Sequence, residues 1–278
     1  MPLLREVVEL LHGWYPPESA ESWDAVGLVY GDPAATVRRV LLAVDPVLPV
    51  ADEAADWGAD LVVTHHPLFL RAVHGFAATT PKGRTLKRFA DAGCALLAAH
   101  TNADLAVGGV SEAMAVALGL SGLAPIATEA GALAWSAASD GEGEPSAGTG
   151  RIGDVAPTTL RGFAGRVAAA LPETAQGVRV AGDPDRPVRR VALLAGAGDF
   201  LLDTMAASDA DVFVTSDLRH HPAIEFVEKD GPALVDVAHW AAEWTWLPVV
   251  EARLRAALGD AVETRVSTLV TDPWTFRV

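Results

Sequence analysis

The chain has 278 residues, and 36 acidic against 21 basic side chains give a formal charge of −15, so a free polyanion meets net repulsion and broad nucleic-acid binding is disfavoured. Half of the residues are hydrophobic and the mean hydropathy is +0.25, which suits packed cores and excludes a disordered chain. Cys94 is the only cysteine, so neither an intrachain disulfide nor a thiolate-rich metal site can form.

The N-terminal stretch "MPLLREVVELLHGWYPP" repeats apolar residues at helical spacing and carries Arg5, Glu6 and Glu9. It reads as an amphipathic helix rather than a signal peptide. No apolar run approaches the roughly 20 residues that span a bilayer. The expectation is a cytoplasmic protein with no membrane partner.

Val37 to Thr64 reads as strand, loop, helix, strand, and it recurs. It aligns without a gap to Val188 to Thr215, with about 11 of the 28 positions identical. A helical stretch and a further apolar strand follow each copy, "GCALLAAH" from Gly93 and "GPALVDVAH" from Gly231. Cys94 falls in the first of these and reads as core packing. Between the copies, "SAASDGEGEPSAGTG" from Ser136 to Gly150 has linker composition. The pattern predicts an α/β fold of two related layered halves built on an internal βαβ repeat, 1–135 and 151–278, joined by a flexible linker at 136–150. Elements on either side are free to swap across that boundary. A metal site is expected between the halves.

Two stretches contain HHP, "ADLVVTHHPLF" from Ala59 and "ADVFVTSDLRHHP" from Ala210. In the repeat alignment His65 and His66 fall opposite Ser216 and Asp217, and His220 and His221 come later, at the start of the next helix. Only the first pair stands at the carboxyl end of a strand, where open α/β sheets place their ligands. Adjacent strand residues face opposite ways, so both histidines serve one site only if the chain turns, as Pro67 suggests. His220 and His221 take a surface, capping or pocket-rim role.

The third strands end in "HTNAD" and "HWAAE", with His100 and Asp104, and His239 and Glu243, each four residues apart. A helical turn after each strand puts each pair on one face. Such a pair alone is more often a surface contact than a ligand set. The same spacing after both repeats, together with His65 and His66, offers more donors than one ion needs, and two ions follow. Imidazole with carboxylate suits Zn, Fe, Mn, Co or Ni rather than Ca or Mg.

The motifs "ESWDAVGLVYG", "GADLVVTHHPL", "HTNADLAVGGVSEAMAVALGL", "DADVFVTSDLRHH" and "DVAHWAAE" occur in the order found in the Nif3-like dinuclear metal proteins, which this chain resembles over nearly its whole length. The resemblance implies that His65, His66, Asp104, His239 and Glu243 ligate two adjacent divalent ions. It places His100 beside them as an acid/base or orienting group. It implies a metal-dependent hydrolase like GTP cyclohydrolase 1 type 2, acting on a nucleotide or other phosphate-bearing small molecule, and a ring-shaped homohexamer. The last motif departs from the family's usual Gly-His-Tyr-Ala-Thr-Glu at Ala238, Trp240 and Ala242, which alters the pocket but keeps both ligands. Many relatives carry an inserted domain where this chain has only the linker.

A reading of another class is a metal-binding scaffold that acts through protein partners. Ions that leave on mild chelation without unfolding favour the enzyme, and collapse on chelation favours the scaffold. "GAGDF" from Gly196 is either a phosphate cradle or a tight strand-to-helix turn, and "VGG" at Val107 to Gly109 is open in the same way. Trp240, Trp244 and Trp246 read as core or interface packing, with a base-stacking wall as the other possibility.

Overall fold

Runs such as Val40–Val44, Leu61–Val63 and Leu96–Ala99 are apolar on both faces, as strands inside a covered parallel sheet must be. A computed structural model, describing residues 1–128 and 146–278, shows a mixed α/β chain with several sheets. The chain divides into two compact units, Met1–Ala103 with Leu247–Thr271, and Asp104–Trp246 with Asp272–Val278.

The first unit opens with helix α1 (Leu4–Trp14), which buries Leu4, Val7 and Leu11 along one stripe. Strand β1 (Gly27–Tyr30) is followed by β2 (Arg39–Ala43), helix α2 (Leu48–Trp57) and β3 (Leu61–Thr64). Pro49 lies in the first turn of α2 and Gly58, at φ 73°, ends it, the usual asymmetry of proline at a helix start and glycine at its close. Helix α3 (Pro81–Asp91) and β4 (Ala95–Ala98) come next. The Thr80 hydroxyl caps α3 by accepting from the Gly83 N–H at 3.1 Å.

The strands pair in parallel as β2 with β3 and β3 with β4, in register Leu41 to Val62 to Leu96. Strand β1 closes one edge antiparallel to β4. Leu41, Val50, Ala54, Val62, Phe89, Cys94 and Leu96 form the core between sheet and helices.

Helix α4 (Thr101–Leu105) carries the chain into the second unit, which continues with α5 (Val110–Ala117), β5 (Ser121–Ala124) and β6 (Ala127–Thr128). It resumes with β7 (Gly148–Thr149), β8 (Arg151–Thr159), α6 (Leu160–Ala170), β9 (Val178–Ala181) and β10 (Pro187–Ala197). Then follow α7 (Leu202–Ala206), β11 (Val212–Ser216), α8 (His220–Val227), β12 (Ala233–Val237) and α9 (His239–Trp244). The six-stranded sheet runs β5-β8-β10-β11-β12-β9, with β10, β11 and β12 parallel. Ile152, Leu194, Met205, Phe213 and Leu234 lie in its core.

After α9 the chain enters α10 (Trp246–Leu258) and β13 (Glu263–Val266), and β13 pairs in parallel with β2 as the other edge of the first sheet. Strand β5 likewise precedes 136–150 in sequence but belongs to the sheet of the second unit, so elements cross that boundary both ways. Most of the expected linker, 136–145, lies outside the described residues. Its end is ordered: Ala127 and Thr128 pair with Thr149 and Gly148, making a short two-stranded neck. Arg151, 1% exposed, bonds the carbonyls of Gly148, Gly150 and Ala106 and pairs with Glu112 at 3.1 Å.

Candidate metal centre

In the first unit three imidazoles meet at the carboxyl ends of neighbouring strands. Strand β3 stops at Thr64, and its hydroxyl donates to the His66 carbonyl at 2.8 Å, fixing the bend that keeps two successive histidines together. The His65 and His66 ring centroids lie 5.1 Å apart. His100, just past β4, lies 5.1 Å from His65 and 5.5 Å from His66. One ligand nitrogen from each falls within 4.8 Å of the others.

Each ring is fixed at Nδ1. His65 Nδ1 is 3.0 Å from the Ala99 carbonyl, which can only accept, so Nδ1 carries the proton and the lone pair is on the buried Nε2. His66 Nδ1 donates to Asp45 at 2.7 Å, and the other Asp45 oxygen accepts from the Thr271 hydroxyl. His100 Nδ1 donates to both oxygens of Asp24, each at 3.0 Å. Burial by itself would raise the Asp24 carboxyl, but hydrogen bonds from His100 and from the Thr101 hydroxyl and N–H hold it well below the usual carboxylate range. Trp23 packs edge-on against His100 with centroids 6.0 Å apart.

The second unit holds Asp104, His239 and Glu243. Asp104 lies near the end of α4 with Oδ1 buried. His239 begins α9, and its Nε2 is 2.7 Å from Glu243 Oε1, so the four-residue spacing does place the pair on one helix face. His239 Nδ1 is 2.7 Å from Asp217, which follows β11 in the left-handed conformation at φ 61°. Burial lowers the affinity of His239 for a proton, but Glu243 and Asp217 on either side prevail and push its pKa up to about 11. Gly196, at φ 90°, lets β10 come close to this pair, since a Cβ there would stand 2.9 Å from Glu243 Oε1. The first glycine of "GAGDF" therefore serves a close approach at an irregular strand end.

The donors suit a divalent ion of the nitrogen- and oxygen-binding kind. All four histidines set Nδ1 against an oxygen acceptor, the arrangement that fixes tautomer and orientation in histidine metal sites. By distance alone His100 has the same standing as His65 and His66. The residues that sequence reading passed over are the acceptors Asp24, Asp45 and Asp217. Asp24 sits inside a quoted motif, and Asp217 stands opposite His66 in the repeat alignment.

Of the remaining readings, Cys94 is fully buried. His220 and His221 are exposed at the start of α8, and His220 lines a cavity of about 440 Å³ with Arg179 and Ile224. Trp240 and Trp246 are buried. No helix among the described residues is long and apolar enough to cross a membrane.

The family model Duf34/NIF3 (NGG1p interacting factor 3) matches residues 2–273. The chain belongs to the Duf34/NIF3 family. A Streptomyces coelicolor protein named GTP cyclohydrolase 1 type 2 homolog is 48% identical over 100% of this chain and 95% of its own length. A Mycobacterium bovis protein of the same name is 37% identical, covering 98% and 96%. Among solved structures, a Bacillus cereus protein related to NIF3 superposes with TM-score 0.86 at 25% identity over 99% of both chains. A hypothetical protein of Staphylococcus aureus gives 0.85 at 26% over 99% of both.

Proposed function

We propose that the protein is a dinuclear-metal-dependent hydrolase of a nucleotide or related phosphate-bearing compound, with His65, His66, Asp104, His239 and Glu243 holding two divalent ions of the Zn, Fe, Mn, Co or Ni class. The observation that carries this reading is the common setting of the histidines, each ring held at Nδ1 by an oxygen acceptor that fixes its orientation, with three of the rings converging at neighbouring strand ends. The names of the relatives support the hydrolase class, and the thiolate-free donor set supports an open catalytic site over a closed structural one. Ions held by these residues would supply a water acidic enough to give hydroxide near neutral pH and would polarise a substrate oxygen.

His100 acts beside the ligands as the acid/base group. Asp24 fixes its ring through Nδ1, so Nε2 is the atom that takes up or delivers a proton. The two halves, 1–135 and 151–278, descend in this reading from one duplicated strand-helix-strand plan, which the parallel trios β2-β3-β4 and β10-β11-β12 support. The working form is a cytoplasmic homohexamer.

The test is to strip the purified protein of metal, reload it with Mn, Fe or Zn, and follow a panel of nucleotides and phosphoesters by NMR. Turnover that depends on metal and is lost in His65→Ala is expected. No hydrolysis with any of the three metals would sink the proposal. Metal-specific anomalous scattering reads ion number and ligands independently of activity.

A further inference from the structure

Within the first unit, a cavity of about 400 Å³ opens beside His66. Its size is in the range that takes small organic ligands. One wall is His66 with Asp45, and the other is the first turn of α3, which contributes Lys82 and Arg84. Val47, Leu48 and Pro67 add apolar surface between them.

Two cations line this cavity in a chain of charge −15. Several basic side chains elsewhere are paired with carboxylates, as in Arg39 with Glu263, Arg88 with Asp52, Arg219 with Asp199 and Lys229 with Asp203. Among the described residues neither Lys82 nor Arg84 makes an ion pair, and Arg84 donates only to the Thr79 carbonyl at 3.3 Å. The one carboxylate on the cavity wall, Asp45, is committed to His66 and the Thr271 hydroxyl. The cavity wall therefore carries two cations against one committed carboxylate in a molecule that is negative as a whole. The first turn of an eleven-residue helix adds to the cations in sign.

We propose that Lys82 and Arg84 form a phosphate-binding subsite that holds the anionic end of the substrate beside His66, with the apolar wall of Val47 and Leu48 against its organic part. The assignment rests on the reading of the centre as one acting on a phosphate-bearing compound. Lys82 and Arg84 are specificity-determining groups that bind the substrate away from the reacting atoms, so their loss raises KM more than it lowers kcat.

The experiment compares guanosine 5′-monophosphate with guanosine by calorimetry on the full chain with its metal complement, which isolates the contribution of the phosphate. In wild type the nucleotide is expected to bind at least ten-fold more tightly than the nucleoside. The double variant Lys82→Ala, Arg84→Ala should lose that preference with metal content unchanged. The control Lys87→Glu, on the same helix but outside the cavity, should keep it. No preference in wild type, an unchanged preference in the double variant, or equal loss in the control overturns the subsite. Loss of preference in the double variant alone, in a protein that hydrolyses nothing with any metal, leaves the subsite standing and sinks only the hydrolase reading.

Discussion

At the scale of single residues, the candidate centre is a set of imidazoles whose orientation is imposed by oxygen acceptors at Nδ1. His239 between Asp217 and Glu243 shows the consequence most directly, since a carboxylate on Nδ1 makes Nε2 a better donor to a cation as well as to a proton. Asp217→Asn should weaken metal binding about 10- to 100-fold. A chelator-competition titration reads this, with the thermal midpoint of the metal-free protein as the control for folding. Asp24 gives a pH-dependent counterpart. Its carboxyl is depressed in the folded state, so its contribution to stability is present above the ordinary value of 3.8 and disappears as pH falls below it. Asp24→Asn should therefore flatten the acid limb of a plot of urea midpoint against pH, leaving the region above about pH 5 with a parallel slope. The candidate residues proposed from the sequence, His65, His66, His100, Asp104, His239 and Glu243, stand in conspicuous motifs at strand ends. The acceptor aspartates do not stand out in a chain with 36 acidic residues, and only a fold that brings Asp24 from 76 positions away to His100 distinguishes it from a surface carboxylate.

Elements set these residues in place through where strands stop. The alternation and apolar runs of β2, β3, β10 and β11 were legible because parallel strands buried on both faces leave an unmistakable pattern. The left-handed Asp217 and the irregular end of β10 were not, since both depend on what lies opposite. Gly196 marks that limit: a sequence reading sees a glycine-rich turn, and the structure sees a backbone lying against Glu243. Gly196→Ala would force a side chain into φ 90° and toward Glu243 Oε1, costing about 1–3 kcal/mol. Denaturant titration should show that loss together with weaker metal retention. Cys94 reports on the same strands from inside. Burial pushes its thiol up to about 12, so iodoacetamide at pH 8 should leave it unmodified in the native protein. Labelling should appear only across the unfolding transition, and rapid native labelling would contradict the core placement.

Over the whole molecule, the negative charge favours solubility and repels free polyanions, so any anionic ligand has to be met by a local reversal of field. Composition sets the sign of that problem, and the proposed subsite at Lys82 and Arg84 is where it would be answered. The exchange of β5 and β13 across the expected boundary was foreseen only as a freedom, because which edge a strand joins is decided by the partner sheet rather than by its own residues. The neck of β6 and β7, clamped from beneath by Arg151, has a meaning for descent. A chain that leaves and returns through one hydrogen-bonded gate has the cost of bringing its ends together already met, and further length adds only slowly to it. The Mycobacterium bovis relative aligns over 366 positions against the 278 residues here, so extra chain has entered this lineage or left it. A short antiparallel pair that already joins its two ends is a place where chain length can change at small cost to the sheet beside it.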